Sequence, residues 1–206
     1  MFSYVFQRGR CRHCGASISV RYPLIEIGTG ILFALAYWKF GLSLRAVIYA
    51  AFFWVLVVLT VIDFEHKLLP TRIIYPALVS AWGLLVIDAL VRDDVGRLLD
   101  AAIDLAIFGG FFFLIAFLVP RGMGMGDVRL ALLLGTFLGY LGGPGFVLLG
   151  MFMSFLTGGV IGMIAAGVTK GGRKMKIPFG PFLAAGTLIA IFAGRPILDA
   201  YLGSLS

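Results

Sequence analysis

The residue of this chain whose setting most plainly suggests chemistry is Asp127, which follows a glycine-rich turn between two long apolar runs, RGMGMGDVRL at 121–130. An ionised carboxylate at membrane depth costs about 2.5–3.5 kcal/mol on insertion scales, so such a residue is normally paired, solvated or functional. Gly122, Gly124 and Gly126 alternate, which suits neither a helix interior nor a phosphate loop, because no strand precedes and no Lys-Ser/Thr follows. This spacing allows another backbone, such as that of a peptide substrate, to come close. The alternative is an interhelical turn in which Asp127 caps the next helix.

A second aspartate, Asp63, closes the apolar run that begins near Ala46. An acid at a helix carboxyl end is unfavourable with respect to the helix dipole, which is a small argument for a functional role. Two carboxylates that share one proton can hydrolyse a peptide bond, one as base on a bridging water and the other as acid on the carbonyl oxygen. Neither a Ser-His pairing nor a His-x-x-Glu-His zinc motif offers a competing hydrolase. The sequence does not say which aspartate would be the base.

These residues resemble the type IV prepilin peptidases, membrane aspartic proteases marked by an Asp that closes one helix and a Gly-x-Gly-Asp that opens another. The matching residues here are Asp63 and the run GMGD at 124–127. The resemblance extends to RGRCRHCG and RYPLIE near the start, LLP after Asp63 and KIPFGPFLAAG near the end, and so covers nearly the whole chain. Two positions depart from the family pattern: Thr71 occupies a place often taken by Asp or Asn, and Arg129 stands where Lys is common.

The resemblance implies that Asp63 and Asp127 are catalytic and that the reaction needs no cofactor. The substrate would be a prepilin or pseudopilin whose basic leader is cut after a glycine just ahead of an apolar helix, for type IV pilus or type II secretion assembly. In the family, the IPFGPF segment lies close to the catalytic centre. Residues within or beside the shared motifs are expected to support the site: Gly124, Gly126, Glu65, Lys67, Arg129, Pro178, Phe179 and Gly180.

Two other classes of protein remain open on the residues alone. A small multi-pass transporter could use the two aspartates as an ion or proton site in broken helices. A membrane scaffold without catalytic activity would tolerate Asn at both positions.

The composition indicates an integral membrane protein. Hydrophobic residues make up 61% of the chain and charged residues only 13%, whereas charged residues are near a quarter of soluble domains. The run lengths predict an all-α, polytopic helix bundle rather than a barrel, because a spanning strand needs only about 10 residues. Seven spans are predicted at about 24–42, 46–64, 72–91, 99–119, 128–141, 145–169 and 179–199.

The distribution of basic residues predicts a cytoplasmic amino terminus. Of the 17 Lys and Arg residues, only five fall on the opposite side, at Lys39, Arg45, Arg92, Arg97 and Arg195, and cytoplasmic loops carry the excess. Both aspartates then emerge at the cytoplasmic face of a prokaryotic inner membrane. The net charge of +7 is spread over several loops, which argues against a nucleic-acid partner and favours anionic lipid headgroups. The oligomeric state is not predicted.

The segment 1–22 carries both cysteines, Cys11 and Cys14, and is interpreted as part of a cytoplasmic Cys-x-x-Cys domain ahead of the transmembrane peptidase domain at 23–206. Two thiolates are half of a tetrahedral zinc site, so zinc is possible but its ligand set is incomplete. Because the resemblance associates N-methyltransferase activity with an upstream segment, that activity is expected to be absent from this chain.

Other acids and glycines are assigned structural roles. Asp88, Asp100 and Asp104 are expected to pair at the boundary opposite the two candidate catalytic residues, with Asp104 the deepest. The small-residue pairs Gly135/Gly139 and Gly158/Gly162 are expected to let helices pack closely in lipid.

Overall fold

A computed structural model describes residues 9–119, 123–168 and 178–203. Gly122 of the glycine turn, and the basic segment 170–176 that the sequence places at the cytoplasmic face, lie outside these residues. Within the described ranges the protein is all-α, as predicted, and its one β-bridge pairs Arg10 with Ser17. The helices are α1 (Arg21–Phe40), α2 (Leu44–His66), α3 (Thr71–Val91), α4 (Gly96–Leu118), α5 (Met125–Gly142), α6 (Pro144–Val168) and α7 (Gly180–Gly203).

Each predicted span coincides with one of these helices. Six of them, α2 to α7, are long and apolar enough to cross a membrane, so the protein is a multi-pass membrane protein. Helix α1 is not among the six, and its Glu26 and Lys39 lower its apolar character. The sequence interpretation had counted α1 as a seventh span.

The helix that carries Asp127 begins earlier than the apolar run predicts. The run suggested a start at residue 128, whereas α5 begins at Met125 and places Asp127 in its first turn. The cause is local, since the N–H of Asp127 donates a 3.1 Å hydrogen bond to the carbonyl of Gly124 and so closes the first turn.

The chain divides into two compact units, one ending at Val57 and the other beginning at Val58. The first unit holds the two cysteines, α1 and the first part of α2. Its aromatic side chains pack together, with the rings of Phe40 and Tyr49 4.5 Å apart. The second unit holds both candidate catalytic residues.

Helix α5 is the centre of the second unit. It packs against α3, α4, α6 and α7, and most of its residues are buried. Its closest neighbour is α4: a Cβ at Gly135 would lie 2.5 Å from the carbonyl oxygen of Asp104, and one at Gly139 would lie 2.8 Å from that of Asp100. The prediction that small residues allow close packing here is confirmed.

The second pair of glycines behaves differently. A Cβ at Gly158 would meet the ring of Phe179 at 3.1 Å, whereas one at Gly162 would have no atom of the described residues within 4 Å. Among the described residues, close packing is therefore seen at Gly158 and not at Gly162.

The carboxyl end of α5 is remote from Asp127, and polar contacts there join α5 to α3 and α4. Arg97 donates hydrogen bonds to the carbonyls of Tyr140 and Leu141, where a cation also suits the helix dipole. Asp88 accepts hydrogen bonds from Arg92 Nε at 3.0 Å and from the Tyr140 hydroxyl at 2.8 Å. The pairing predicted for Asp88 is confirmed.

The pairing predicted for Asp104 is wrong. Asp104 is fully buried, and among the described residues neither of its carboxyl oxygens has a hydrogen-bond partner. It lies where α4 packs against Gly135 and Gly139 of α5.

Candidate active site

Three helix ends contribute to one site within the second unit. Asp63 lies in the last turn of α2, Asp127 in the first turn of α5, and Gly180 is the first residue of α7. Both carboxyl side chains are buried, with residue exposures of 5% for Asp63 and 9% for Asp127. They are among the few buried charged residues of the described chain.

The carboxylate of Asp63 is held by the start of α7. The N–H of Gly180 donates a 3.0 Å hydrogen bond to Oδ2 of Asp63. The amino end of a helix carries a partial positive charge, so this contact offsets the unfavourable position of Asp63 at the carboxyl end of α2. The contact also requires glycine, because a Cβ at position 180 would lie 2.6 Å from the same oxygen.

Asp127 closes the first turn of its own helix. Its Oδ2 accepts a 3.3 Å hydrogen bond from the N–H of Gly124 while its N–H donates to the carbonyl of Gly124. The structure therefore contains the capping contact that the sequence offered as the alternative interpretation. The capping contact that the structure shows uses Oδ2 of Asp127, so a chemical role for the carboxyl group is not excluded by it.

The segment that follows Asp63 lies beside both aspartates. Leu69 is buried, and a Cβ at Gly126 would lie 2.8 Å from the Cβ of Leu69. A Cβ at Gly180 would lie 3.5 Å from Cδ1 of the same leucine. Leu69 thus packs against the residue before Asp127 and against the residue that binds Asp63. The sequence interpretation reserved the space beside these glycines for a substrate backbone, but at Gly126 the neighbouring backbone is that of Leu69.

The supporting residues predicted near Asp63 are on the outside of the site. The side chains of Glu65 and Lys67 are exposed. Lys67, the residue after α2, has a positive φ of 53°, a conformation uncommon for non-glycine residues, and its N–H donates to the carbonyl of Asp63. Its visible contribution is therefore to turn the backbone after Asp63.

The segment before α7 brings an aromatic cluster close to the site. Pro178 and Phe179 are half-buried, and the ring of Phe179 lies within 6.2 Å, between centroids, of the rings of Phe112, Phe155 and Phe182. This packing fixes the residue directly before Gly180. The sequence interpretation missed the cluster because its members are far apart in the chain.

Arg129 contacts the start of α3. Its Nη1 donates a 2.7 Å hydrogen bond to Oγ1 of Thr71, a residue that the sequence interpretation did not include in the site. Both residues depart from the family pattern, but nothing in the sequence indicates that they contact each other across 58 positions.

The two cysteines lie in the first unit, in a short turn. The N–H of Cys11 donates to Ala16 and the N–H of Gly15 donates to Cys11. Hydrogen bonds from the backbone of His13 and then of Cys14 lower the pKa of Cys11 below its ordinary value. In the part of the chain that the structure describes, no group of three or more His, Cys, Asp or Glu residues could hold a metal ion.

Two protein-family models match this chain. Residues 1–40 match the Bacterial Peptidase A24 N-terminal domain, and residues 50–194 match the Type IV leader peptidase family. No solved structure matches the chain.

Three curated relatives are each named prepilin leader peptidase/N-methyltransferase. The protein from Legionella pneumophila is 35% identical over 95% of this chain and 67% of its own length. The Pseudomonas aeruginosa protein is 33% identical over 98% of this chain and 68% of its own length. The Bacillus subtilis protein is 32% identical over 98% of this chain and 78% of its own length. The chain therefore belongs to the Type IV leader peptidase family and is a membrane protease of that family.

Proposed function

We propose that this protein is an aspartic endopeptidase that removes the basic leader from prepilin-like or pseudopilin-like proteins, with Asp63 and Asp127 as its catalytic pair. The observation that carries the proposal is the burial of these two carboxyl groups at helix ends that share one neighbour: Leu69 packs against Gly126, the residue before Asp127, and against Gly180, which donates to Asp63. The names of the relatives support the substrate class.

The reaction follows from the chemistry of two neighbouring carboxyl groups. Two like charges close together in a partly desolvated site favour a state in which the pair holds one proton. The ionised carboxylate takes a proton from a water molecule as the water oxygen attacks the scissile carbonyl carbon, and the protonated carboxyl gives its proton to the carbonyl oxygen. The tetrahedral diol then collapses: one of its hydroxyl protons passes to the ionised carboxylate, the carbon–nitrogen bond breaks, and the departing amine takes the proton held by the other carboxyl group.

The depth of the site suits a cleavage point at the end of an apolar helix. Asp63 is three residues from the end of α2 and Asp127 is two residues from the start of α5, so they lie about 4.5 Å and about 3 Å inside their helix ends at 1.5 Å per residue. A substrate whose apolar segment spans the membrane would present its leader junction at this level. A glycine at the junction would ease the local unwinding that carbonyl attack requires.

We assign the site to the cytoplasmic face of the inner membrane. The basis is the seven-span topology predicted from the sequence, in which 12 of the 17 Lys and Arg residues fall on the side where α2 ends and α5 begins. This excess also suits contact with anionic lipid headgroups. The proposed chemistry uses carboxyl groups and water alone, so zinc at Cys11 and Cys14 is not required for it. The transporter alternative is set aside, since the chain belongs to a family of peptidases.

The proposal is tested with the purified full chain in detergent and a synthetic substrate that has a basic leader, a glycine and a following apolar segment. We expect one cut, located by mass spectrometry after the glycine. An intact substrate, or a cut within the apolar segment, would overturn the proposed function.

A further inference from the structure

A short connection, residues 67–70, leads from the end of α2, which carries Asp63, to the start of α3. Both of its ends are fixed by backbone hydrogen bonds: the N–H of Lys67 donates to the carbonyl of Asp63, and the N–H groups of Ile73 and Ile74 donate to Pro70. Pro70 has the φ of −70° that its ring imposes. The connection therefore relates the position of Asp63 to the start of α3 with little freedom.

The first turn of α5 is attached to this connection on both sides of Asp127. Gly126, the residue before Asp127, packs against the backbone and Cβ of Leu69. Arg129, two residues after Asp127, donates its 2.7 Å hydrogen bond to Thr71. Because the two contacts bracket Asp127, they set where its carboxyl group lies relative to Asp63.

The hydrogen bond between Arg129 and Thr71 joins residues 58 positions apart and is half-buried. A donor that carries charge makes a stronger hydrogen bond than a neutral one, and the planar guanidinium restricts its geometry. Helix α3 makes no side-chain hydrogen bond at its N-cap, which is Pro70. The Thr71 hydroxyl thus accepts from another helix instead of capping its own.

We propose that the Arg129–Thr71 hydrogen bond is a latch that positions the start of α5, and with it Asp127, against the connection that leads from Asp63. The inference rests on the proposed function. Arg129 and Thr71 are positioning residues that act through the geometry of the two carboxyl groups. Their loss should lower the rate of the chemical step while substrate binding is preserved, because small misplacements of reacting groups reduce rates steeply.

The test is a double-mutant cycle in the full chain. Thr71→Val removes the hydroxyl and keeps the shape of the side chain, whereas Arg129→Met removes the guanidinium and keeps the apolar stem. We expect each to lower kcat by roughly 10-fold or more, with KM within about twofold. The double variant should be no slower than the slower single variant, because residues in direct contact are not additive.

Two controls separate positioning from a general loss of structure. Thr71→Ser keeps the hydroxyl and should retain kcat within about twofold of the unmodified protein, in line with the small effect of surface changes that keep their contacts. The fraction of folded protein, measured by thermal unfolding in detergent, should be the same in all variants at the assay temperature. If Thr71→Val does not fold, Thr71→Ala is measured in its place.

The outcomes distinguish the latch from the function on which it rests. Normal kcat in Thr71→Val, additive losses in the double variant, or losses that track the unfolded fraction would overturn the latch alone. Absence of cleavage by the unmodified protein would overturn the proposed function and this inference together.

Discussion

Asp63 and Gly180 lie 117 positions apart, and the N–H of Gly180 donates a 3.0 Å hydrogen bond to the carboxylate of Asp63. The contact places the amino end of α7 at the carboxyl end of α2. It also gives Phe179 a physical role, because the packed ring of this residue holds the helix end that binds one of the two carboxyl groups.

Gly180→Ala is therefore expected to lower cleavage by about 100-fold, the effect of a misplacement of roughly 1 Å. The added Cβ would lie 2.6 Å from Oδ2 of Asp63, so the carboxylate has to move. Gly159→Ala is the matched control, since a Cβ there has no atom of the described residues within 4 Å. The measurement is kcat/KM for both variants in detergent. Equal activity of the two variants would show that the Gly180 contact does not position Asp63.

Tyr140→Phe should reduce stability and leave catalysis unchanged. The variant removes the 2.8 Å hydrogen bond from the Tyr140 hydroxyl to buried Asp88, which costs about 1–3 kcal/mol for a buried polar group that loses a partner. The site is at the other end of α5, so kcat should hold. Denaturant titration in detergent measures the change. A loss of kcat in fully folded Tyr140→Phe would contradict the separation of the two ends.

Gly139→Ala should loosen the packing of α4 on α5. A Cβ at this position would lie 2.8 Å from the carbonyl oxygen of Asp100 and 2.9 Å from the Cα of Ala101, and overpacking of this kind costs about 1–3 kcal/mol. In Gly110→Ala, by contrast, the new methyl group meets nothing within 4 Å among the described residues. That variant should be neutral or slightly stabilising, because Ala is favoured over Gly in a helix by about 1 kcal/mol. The stabilities of the two variants are compared by thermal unfolding under the same conditions. A Gly139→Ala protein as stable as the unmodified chain would argue against close packing of α4 on α5.

The Cys11 thiol should react faster with iodoacetamide than a free cysteine does at neutral pH. Its pKa is lowered by the backbone hydrogen bond of His13 first, and a lower pKa means more of the reactive thiolate at a given pH. The alkylation rate of Cys11 is measured from pH 6 to 10 in a Cys14→Ser variant. The pH at which this rate is half-maximal should be lower than for a model cysteine peptide. A midpoint at or above the peptide value would contradict the assigned hydrogen bonds.

The sequence predicted the helices well because long apolar runs leave few alternatives in a membrane chain. The error at the start of α5 has a local cause: the hydrophobic pattern marks the apolar residues, whereas the helix begins at the Gly124–Asp127 hydrogen bond three residues earlier. Hydropathy carries no information about such a turn.

The contacts of the site are less visible in the sequence, since they join distant positions. Leu69 fills the space beside Gly126 that the alternating glycines suggested for a substrate. Asp104 has no hydrogen-bond partner among the described residues, although its place in the sequence predicted an interfacial pair. For Gly126 and for Asp104 the residue type indicated an unusual position. The surroundings that decide the role of each residue are set by tertiary packing.

The most direct test of the account is cleavage of the prepilin-like substrate by Asp63→Asn, Asp127→Asn and Asp104→Asn. Asp104 is the matched control, because it is a buried aspartate of the same unit that packs against Gly135 and Gly139, about 12 and 18 Å along α5 from Asp127 at 1.5 Å per residue. All three proteins should fold in detergent. We expect kcat/KM to fall by at least about 100-fold in Asp63→Asn and in Asp127→Asn, the lower bound of a general acid–base contribution, and to stay within about twofold in Asp104→Asn. Near-normal cleavage by either of the first two variants, or an equal loss in all three, would contradict the assignment of Asp63 and Asp127 as the catalytic pair.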